Sequence, residues 1–518
     1  MRKGIVILMK NVTKVFFLSL AVAILFIIWG SISKEVLPDY NLDAVTSQIQ
    51  GFLVEKFGWF YLLSATGFLI FAIFLIFSKY GNIKLGKDGD EPEYNYITWF
   101  AMLFSAGMGI GLIFWGTAEP ISHFHNPPFG EGETAESAKV AMRYSFFHWG
   151  LHPWGIYAVI ALALAYFQFR RQAPGLISSI LTPLLGEKRT SSGWGTLVDF
   201  IAVFATIFGV ATSLGLGAKQ ISGGFAYMFD GLEDGFGLQI TIILIVTFLY
   251  MLSAQTGLNK GIKYLSNTNI VLAIALMVFI LFAGPTNFIM DLFTTTLGSY
   301  VQNVPSMSFK LSPFEQNTWT QSWTIFYWAW WISWAPFVGT FIARVSKGRT
   351  VREFVLGVLL VPTIFGALWF STFGGAGIYQ EYFQGENIMQ LINSSGNEVA
   401  LFEMLSNLPL GNIMSFIAIL LITTFFITSA DSATFVLGMQ TTNGSLNPSN
   451  SVKFIWGLVQ SSTAAILLWQ GGLGALQTAA IIAAFPFAII MILMVFSLIK
   501  AFQEEAKRYP LTRQKRKS

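Results

Sequence analysis

The hydrophobic residues of this chain fall into long runs separated by polar segments. Each run has roughly 20 residues, enough for an α-helix to cross the hydrocarbon core of a bilayer. The runs lie at about 15–33, 59–78, 97–117, 144–167, 196–218, 238–254, 264–283, 319–343, 354–374, 412–437, 454–469 and 476–499. The pattern therefore predicts an all-α integral membrane protein with twelve transmembrane helices.

The composition agrees with this prediction and excludes several other classes of protein. Of 518 residues, 54% are hydrophobic and 11% are charged, whereas a soluble protein carries about a quarter charged residues. Because there is no cysteine, disulfide frameworks and thiolate metal sites are excluded. The first apolar run superficially resembles a signal peptide, but it is too long and lacks a clear cleavage site, so we expect a retained first helix.

The charges between the runs predict the orientation of the chain. With twelve spans, the Lys and Arg clusters all fall on one side of the membrane and the acidic clusters on the other. The basic side is normally cytoplasmic, so both termini are predicted to be cytoplasmic. Segment 285–313 has an interrupted apolar pattern, typical of an amphipathic surface helix. The basic C-terminal tail is either an inside-facing anchor or a sensor of anionic lipid or ionic strength.

Glycines interrupt the third span, which reads SAGMGIGLIFWGTAEP. Gly107, Gly109 and Gly111 occupy every second position, where each weakens a helix by about 1 kcal/mol relative to alanine. An unwound segment here would let a ligand approach the main chain and would offer amide N–H groups to a carboxylate. The alternative is tight helix packing through small residues. We favour an unwound binding segment.

The eighth span has Pro336 in its interior, and a proline there kinks or breaks a helix. Two interrupted spans that are five apart in order suggest two five-helix halves. Inverted repeats with broken helices at corresponding positions are typical of secondary transporters, whose substrate lies where the halves meet.

Aromatic residues are concentrated in two of the spans. In FYWAWWISWAPF, Tyr327, Trp331 and Trp334 are spaced i, i+4, i+7 on one helix face, and HWGLHPWGIY supplies Trp149, Trp154 and Tyr157. Ring faces without a fixed charge suit a quaternary ammonium, which has no N–H to donate and is held by cation–π attraction. Beside glycine amides for a carboxylate, they predict a zwitterionic substrate such as a betaine.

Other polar residues in or near the spans have less specific interpretations. We expect the four histidines between His123 and His152 to make structural hydrogen bonds rather than to bind a metal. Asp431 is an intramembrane carboxylate, which either orders the neighbouring segment or makes a structural hydrogen bond. Glu119 follows the third run, and we expect it to be a polar cap at the outer surface.

Six motifs together resemble those of the betaine/carnitine/choline transporters, most closely the glycine betaine transporters of bacteria. They are GMGIGLIFWGTAEP, HWGLHPWGIY, ATSLGLGAKQI, GIKYLSN, FYWAWWISWAPFVG and FFITSADSATFVLG. The resemblance runs from about residue 94 to residue 438, and more loosely to both ends. It implies a sodium-coupled symporter, not an enzyme, that imports a small zwitterionic quaternary-ammonium osmolyte for osmoprotection. It further implies a homotrimer in the bacterial cytoplasmic membrane.

The fold implied by the resemblance is LeuT-like, with two leading helices and two inverted five-helix repeats. Residues 1–95 form the N-terminal segment and leading helices, and 96–284 form the first repeat. Residues 285–317 are the amphipathic connection, 318–499 the second repeat and 500–518 the basic tail, where anionic lipid is a candidate partner.

The resemblance also implies residue roles. The substrate site comprises Trp149, Trp154, Tyr157, Trp331, Trp334, Met108 and the three alternating glycines. One sodium site comprises Ser105, Met108, Phe425, Thr428 and Ser429. A second sodium site comprises Thr206 and Phe337, although Val210 departs from its pattern; Thr212 and Ser213 are candidate substitutes for that position. Sodium acts as the coupling ion, and no other cofactor is expected.

Two positions separate this chain from relatives with other coupling mechanisms. Proton-coupled choline transporters have an aspartate at the position of Gly111, and sodium-independent exchangers have an arginine near Ile270. No Lys or Arg occurs from residue 264 to residue 309, which favours sodium coupling. A sodium-independent carnitine/betaine antiporter is the alternative. A membrane enzyme would need a nucleophile with a base or a metal cluster, and no nucleic-acid partner is expected.

Overall fold

The structure, a computed structural model, describes residues 12–107, 109–256, 259–315 and 317–508. These residues are helical apart from turns, connecting segments and one isolated β-bridge between Lys84 and Thr350. The all-α fold class is therefore confirmed.

The long helices follow the apolar runs of the sequence. They are α1 (Lys14–Gly30), α2 (Leu42–Phe77), α3 (Tyr96–Gly107), α4 (Ile110–His125), α5 (Ala135–Trp149), α6 (Leu151–Ala165), α7 (Gly193–Met228), α8 (Phe236–Thr256), α9 (Asn259–Ala283), α10 (Thr286–Ser308), α11 (Phe326–Val345), α12 (Val351–Tyr379), α13 (Gly411–Thr441) and α14 (Asn450–Arg508). Short helices or helical turns occupy Lys79–Asn82, Tyr166–Arg170, Ile177–Ile180, Thr182–Leu185, Glu187–Thr190, Gln321–Ile325, Gln380–Gln384, Ile388–Ser395, Asn397–Val399 and Ala400–Ser406.

Every predicted span coincides with one of these helices or with a pair of them. Among the described residues, eight helical stretches are long and apolar enough to cross a membrane, and Lys14–Gly30 is a shorter apolar helix. The last two predicted spans lie within α14, which changes direction at Gly471 and Gly472, where the backbone is not helical. The number twelve itself remains a prediction.

Helix α11, which carries the tryptophan-rich motif, lies at the centre of the fold. It packs against α6, α7 and α14, and residues 326–339 are all buried. A Cβ atom at Gly209 of α7 would lie 2.8 Å from the carbonyl carbon of Ser333, so the two backbones touch. Such close packing through glycine fixes α11 against its neighbour.

Pro336 does not break the eighth span, contrary to one of the two predicted outcomes. Helix α11 continues through Pro336 to Val345, while an irregular π-helical turn occurs earlier, at Gln321–Ile325. The neighbouring helices bury this part of α11. Surrounding helices and local hydroxyl groups commonly allow a proline inside a membrane helix.

Candidate functional site

The third span is interrupted at its glycines, as predicted. Helix α3 ends at Gly107, α4 begins at Ile110, and Gly109 between them has an extended backbone with φ −151° and ψ −153°. Met108, which the sequence placed in both the substrate site and the sodium site, lies outside the described residues. The interruption frees backbone groups at the depth of the surrounding helices, where irregular backbone normally lines a cavity or is buried in protein.

The two glycines after Met108 have different surroundings. A Cβ atom at Gly109 would lie 3.9 Å from both Ser429 Oγ and Trp334 Cη2, which leaves ordinary contact distances. A Cβ atom at Gly111 would lie 2.4 Å from Trp330 Cη2 and 3.2 Å from Trp149. Gly111 is therefore required for close ring packing, whereas Gly109 sits between a predicted substrate residue and a predicted sodium ligand.

The five predicted substrate aromatics form one connected group of rings, which we call the aromatic cluster. Its members are Trp149 of α5, Trp154 and Tyr157 of α6, and Trp331 and Trp334 of α11. Ring centroids are 4.9 Å apart for Trp149 and Trp331, 6.1 Å for Tyr157 and Trp331, and 6.5 Å for Tyr157 and Trp334. Trp154 joins through Tyr157 at 5.6 Å. The structure thus brings all five together.

A second interruption, at Gly150, lies inside HWGLHPWGIY and was not predicted. It separates α5 from α6 and has φ −99° and ψ −128°. A Cβ atom at Gly150 would lie 2.5 Å from the Phe146 carbonyl oxygen and 2.8 Å from the Tyr300 hydroxyl. The same hydroxyl accepts a hydrogen bond from the backbone N–H of Leu151 at 3.0 Å. This break places Trp149 and Trp154 on two separate helices of the aromatic cluster.

Hydrogen bonds at the ring edges fix two of the indoles. Trp331 Nε1 donates to the His148 carbonyl at 3.0 Å, and Trp149 Nε1 donates to Glu119 Oε2 at 2.8 Å. Tyr327 was placed on this helix face by its spacing, and its ring centroid lies 6.0 Å from that of Trp331. It also donates its hydroxyl to Glu119 Oε2 at 2.5 Å.

Glu119 is not a polar cap at the outer surface, so that prediction is wrong. Its side chain is fully buried, because α4 continues to His125 and places Glu119 more than a turn before the helix end. His148 Nδ1 lies 2.7 Å and His123 Nε2 lies 3.2 Å from Glu119 Oε1. These contacts agree with the interpretation of the histidines as hydrogen-bonding residues.

A cavity of about 90 Å³ lies between Trp334 of the aromatic cluster and residues of α13. Its lining includes the predicted sodium ligands Ser105, Phe425, Thr428 and Ser429. Trp334 and Phe337 also line it, together with Ser266, Asn269, Phe341 and Ser432. The structure therefore brings together four of the five predicted ligands, next to a member of the aromatic cluster.

Asn269 is a cavity residue that sequence reasoning missed. It is buried, its Nδ2 donates to Thr428 Oγ1 at 3.1 Å, and its Oδ1 has no hydrogen-bond partner among the described residues. The sequence directed attention to Ile270, the position where exchangers have an arginine. The signal in the sequence was Asn269 itself, a polar amide residue inside an apolar span and one position before Ile270.

The residues of the predicted second sodium site are less clearly assembled. Thr206 is buried and donates its hydroxyl to the Ala202 carbonyl of its own helix at 2.7 Å. Phe337 lines the cavity of the first site. Thr212, a suggested substitute, is already bonded to the Phe208 and Leu476 carbonyls, at 2.9 and 3.0 Å. Thr206 and Phe337 therefore remain the predicted pair.

Asp431 is buried, as an intramembrane carboxylate of α13 should be. The cavity is lined by its neighbour Ser432 and by Thr428 and Ser429, but Asp431 is not part of that lining. This placement agrees with both interpretations, ordering of the neighbouring segment and a structural hydrogen bond, and the choice between them stays a prediction.

Comparisons with known proteins cover almost the whole chain. A family model described as betaine/carnitine/choline family transporter matches residues 14–507. The glycine betaine transporter OpuD of Bacillus subtilis is 54% identical over 96% of both chains. A probable glycine betaine transporter of Desulfitobacterium hafniense is 46% identical over 96% of this chain and 98% of its own. An ectoine/hydroxyectoine transporter of Virgibacillus pantothenticus is 45% identical over 95% and 97%, respectively.

Proposed function

We propose that this chain, which belongs to the betaine/carnitine/choline transporter family, imports glycine betaine or a similar quaternary-ammonium osmolyte together with sodium. Family membership makes it a multi-pass membrane transporter and not an enzyme. The names of its relatives, which include glycine betaine and ectoine transporters, support a small zwitterionic substrate. Its role would be osmoprotection.

The observation that carries the proposal is the position of Gly109. The break in the third span places this one backbone position about equally close to Trp334 of the aromatic cluster and to Ser429 of the cavity. A substrate ammonium among the rings and a sodium ion at the hydroxyl groups would therefore be held by the same short segment. Each ligand would order the segment that the other needs, which gives positive coupling between their binding free energies.

The aromatic cluster suits the ammonium end of a betaine. A trimethylammonium group cannot donate an N–H hydrogen bond, so uncharged aromatic ring faces, which attract a cation through their quadrupole, are its best partners in a dry site. Burial strengthens this attraction, because the five rings are almost fully shielded from solvent. The N–H groups freed at the break after Gly107 would receive the substrate carboxylate.

The cavity lining suits sodium because it offers several neutral oxygen atoms. Hard cations prefer hydroxyl and carbonyl ligands, and Ser105, Thr428 and Ser429 supply hydroxyl groups. None of the described residues that line this cavity carries a charge. A mobile cation would therefore supply the positive charge that an arginine supplies in sodium-independent exchangers. A second ion at Thr206 and Phe337 would be a separate addition.

The remaining features of the proposal concern the arrangement in the membrane. We propose twelve spans, with two inverted five-helix repeats at 96–284 and 318–499 that alternately expose the site to each side. Both termini would be cytoplasmic in a bacterial inner membrane, and the protein would form a homotrimer. The basic tail would contact anionic lipid; helix α14 ends at Arg508, and residues 509–518 lie outside the described residues.

Uptake of labelled glycine betaine into proteoliposomes tests sodium coupling. We expect an inward sodium gradient to drive accumulation above the external concentration, and an equal potassium gradient to drive none. Liposomes without protein give the background. Equal uptake with both ions would refute sodium coupling. Counterflow that persists without sodium would instead support a carnitine/betaine antiporter.

A further inference from the structure

Glu119 forms the centre of a buried polar network directly behind the aromatic cluster. Its Oε2 accepts from Trp149 Nε1 at 2.8 Å and from the Tyr327 hydroxyl at 2.5 Å. Its Oε1 is bonded to His148 Nδ1 at 2.7 Å and to His123 Nε2 at 3.2 Å. All five side chains are buried, and no Lys or Arg is among the hydrogen-bond partners that the described residues give to Glu119.

The hydrogen bonds of this network are compatible with a net negative charge. An indole N–H can only donate, so Oε2 must act as an acceptor. A neutral His148 satisfies both its nitrogens, because Nδ1–H donates to Glu119 while Nε2 accepts from Thr324 Oγ1 at 2.9 Å. His123 Nδ1 has no hydrogen-bond partner among the described residues, and protonating it would bury an unpaired charged N–H. A carboxylate with two neutral histidines therefore accounts for these contacts, and we take it as the charge state on which the inference rests.

A carboxylate in this position acts on the rings in two ways. Because Trp149 and Tyr327 donate to the same oxygen atom, the carboxylate fixes their relative orientation, with centroids 5.7 Å apart and planes at 68°. The negative charge behind the indole also increases the negative potential on its face, where a substrate cation would bind. Both effects favour a cationic ligand over a neutral one of the same shape.

A metal ion is the competing interpretation of the same residues. Glu119, His123 and His148 each offer one ligand atom, and these three atoms lie within 4.8 Å of one another. Two histidines with a carboxylate can bind zinc. However, one nitrogen of each histidine is directed at Glu119 Oε1, and Oε2 already accepts hydrogen bonds from Trp149 and Tyr327. The hydrogen-bonded network accounts for every one of these atoms without an ion.

We propose that Glu119 is a positioning and specificity-determining residue, whose buried charge orients Trp149 and Tyr327 and selects substrates that carry a positive charge. The inference rests on the proposed function, because it assumes that the aromatic cluster binds the quaternary ammonium. The sequence suggested that uncharged ring faces alone hold the ammonium group, and the inference adds a fixed negative charge next to them.

The test compares two ligands of the same shape on purified protein at saturating sodium. They are glycine betaine and its carbon analogue 3,3-dimethylbutanoate, in which carbon replaces the quaternary nitrogen. For Glu119→Gln we expect glycine betaine affinity to fall roughly tenfold or more, while affinity for the carbon analogue changes little. Glu119→Asp keeps the charge and is expected to retain most of the preference.

A second variant tests the inference even if Glu119→Gln fails to fold. Trp149→Phe keeps a ring face but removes the N–H that joins it to the carboxylate, so the preference for glycine betaine should fall several-fold. Equal losses for both ligands in Glu119→Gln, or an unchanged preference in Trp149→Phe, would overturn the inference. Stoichiometric zinc in the purified protein would also overturn it. Absence of any preference in the unmodified protein would instead refute the proposed function.

Discussion

Replacing Trp331 with leucine is expected to weaken glycine betaine binding by roughly thirty-fold, because a desolvated cation–π contact contributes about 2 kcal/mol. Trp331 has ring contacts with Trp149, Tyr157 and Tyr327, so it lies at the middle of the aromatic cluster. Leucine keeps an apolar side chain but removes the π face. Trp331→Phe keeps a smaller face and loses the hydrogen bond to the His148 carbonyl, so its affinity should be intermediate.

Direct binding of glycine betaine to the purified variants, with saturating sodium, measures this effect. Trp194→Leu is the matched control, because Trp194 lies near the start of α7 and is 63% exposed. The carbon analogue separates loss of charge recognition from loss of shape, and its affinity should change far less than that of glycine betaine. Unchanged glycine betaine affinity in Trp331→Leu would contradict the proposed role of the aromatic cluster.

Replacing Ser429 with alanine is expected to raise the sodium concentration for half-maximal uptake by roughly tenfold or more, since a polar contact with a charged group contributes about 1.5–3 kcal/mol. Ser429 lines the cavity next to Gly109. Thr428→Val should have a similar effect, because it removes a hydroxyl from the same cavity and leaves the Asn269 amide without this acceptor. The maximal rate at saturating sodium should change less.

Ser432→Ala is the matched control for this experiment. Ser432 lines the same cavity and is on the same helix, but it is not among the predicted ligands. Sodium titrations of glycine betaine uptake in proteoliposomes would compare the three variants. If Ser429→Ala and Thr428→Val give the same half-maximal sodium concentration as Ser432→Ala and the unmodified protein, the ion does not bind at the Ser429 and Thr428 hydroxyl groups.

The apolar runs were sufficient to predict the helical fold, because a membrane helix must satisfy its own backbone and its length is set by the bilayer. The alternating glycines also predicted the break at Gly109, since they weaken the helix locally. The effect of Pro336 could not be predicted in the same way. Its outcome depends on the helices that surround α11, and these are distant in the sequence.

Glu119 shows why part of the site was not predictable. Its partners His148, Trp149 and Tyr327 are 29, 30 and 208 residues away along the chain. Only the packing of α4 against α5, and of α11 beside them, brings these three groups to the carboxylate, which His123 of its own helix also contacts. From the sequence alone, a glutamate after an apolar run is most simply interpreted as a surface residue.

Gly111 shows that glycines of one sequence pattern can have different structural roles. The sequence grouped it with Gly109, because both belong to the same alternation. The structure separates them, since a side chain at Gly111 would collide with Trp330, whereas a Cβ atom at Gly109 would lie 3.9 Å from Ser429, which lines the cavity. The alternating glycines indicated that other groups approach the backbone closely, but they could not indicate which groups these are.

The most direct measurement of the central claim is the affinity of the unmodified protein for glycine betaine and for its carbon analogue, at saturating sodium. The two ligands share their shape and carboxylate and differ in the charge of the trimethyl group. We predict that glycine betaine binds at least roughly thirty-fold more tightly, as cation–π attraction in a dry site requires. Equal affinities would contradict the claim that the aromatic cluster recognises a quaternary ammonium.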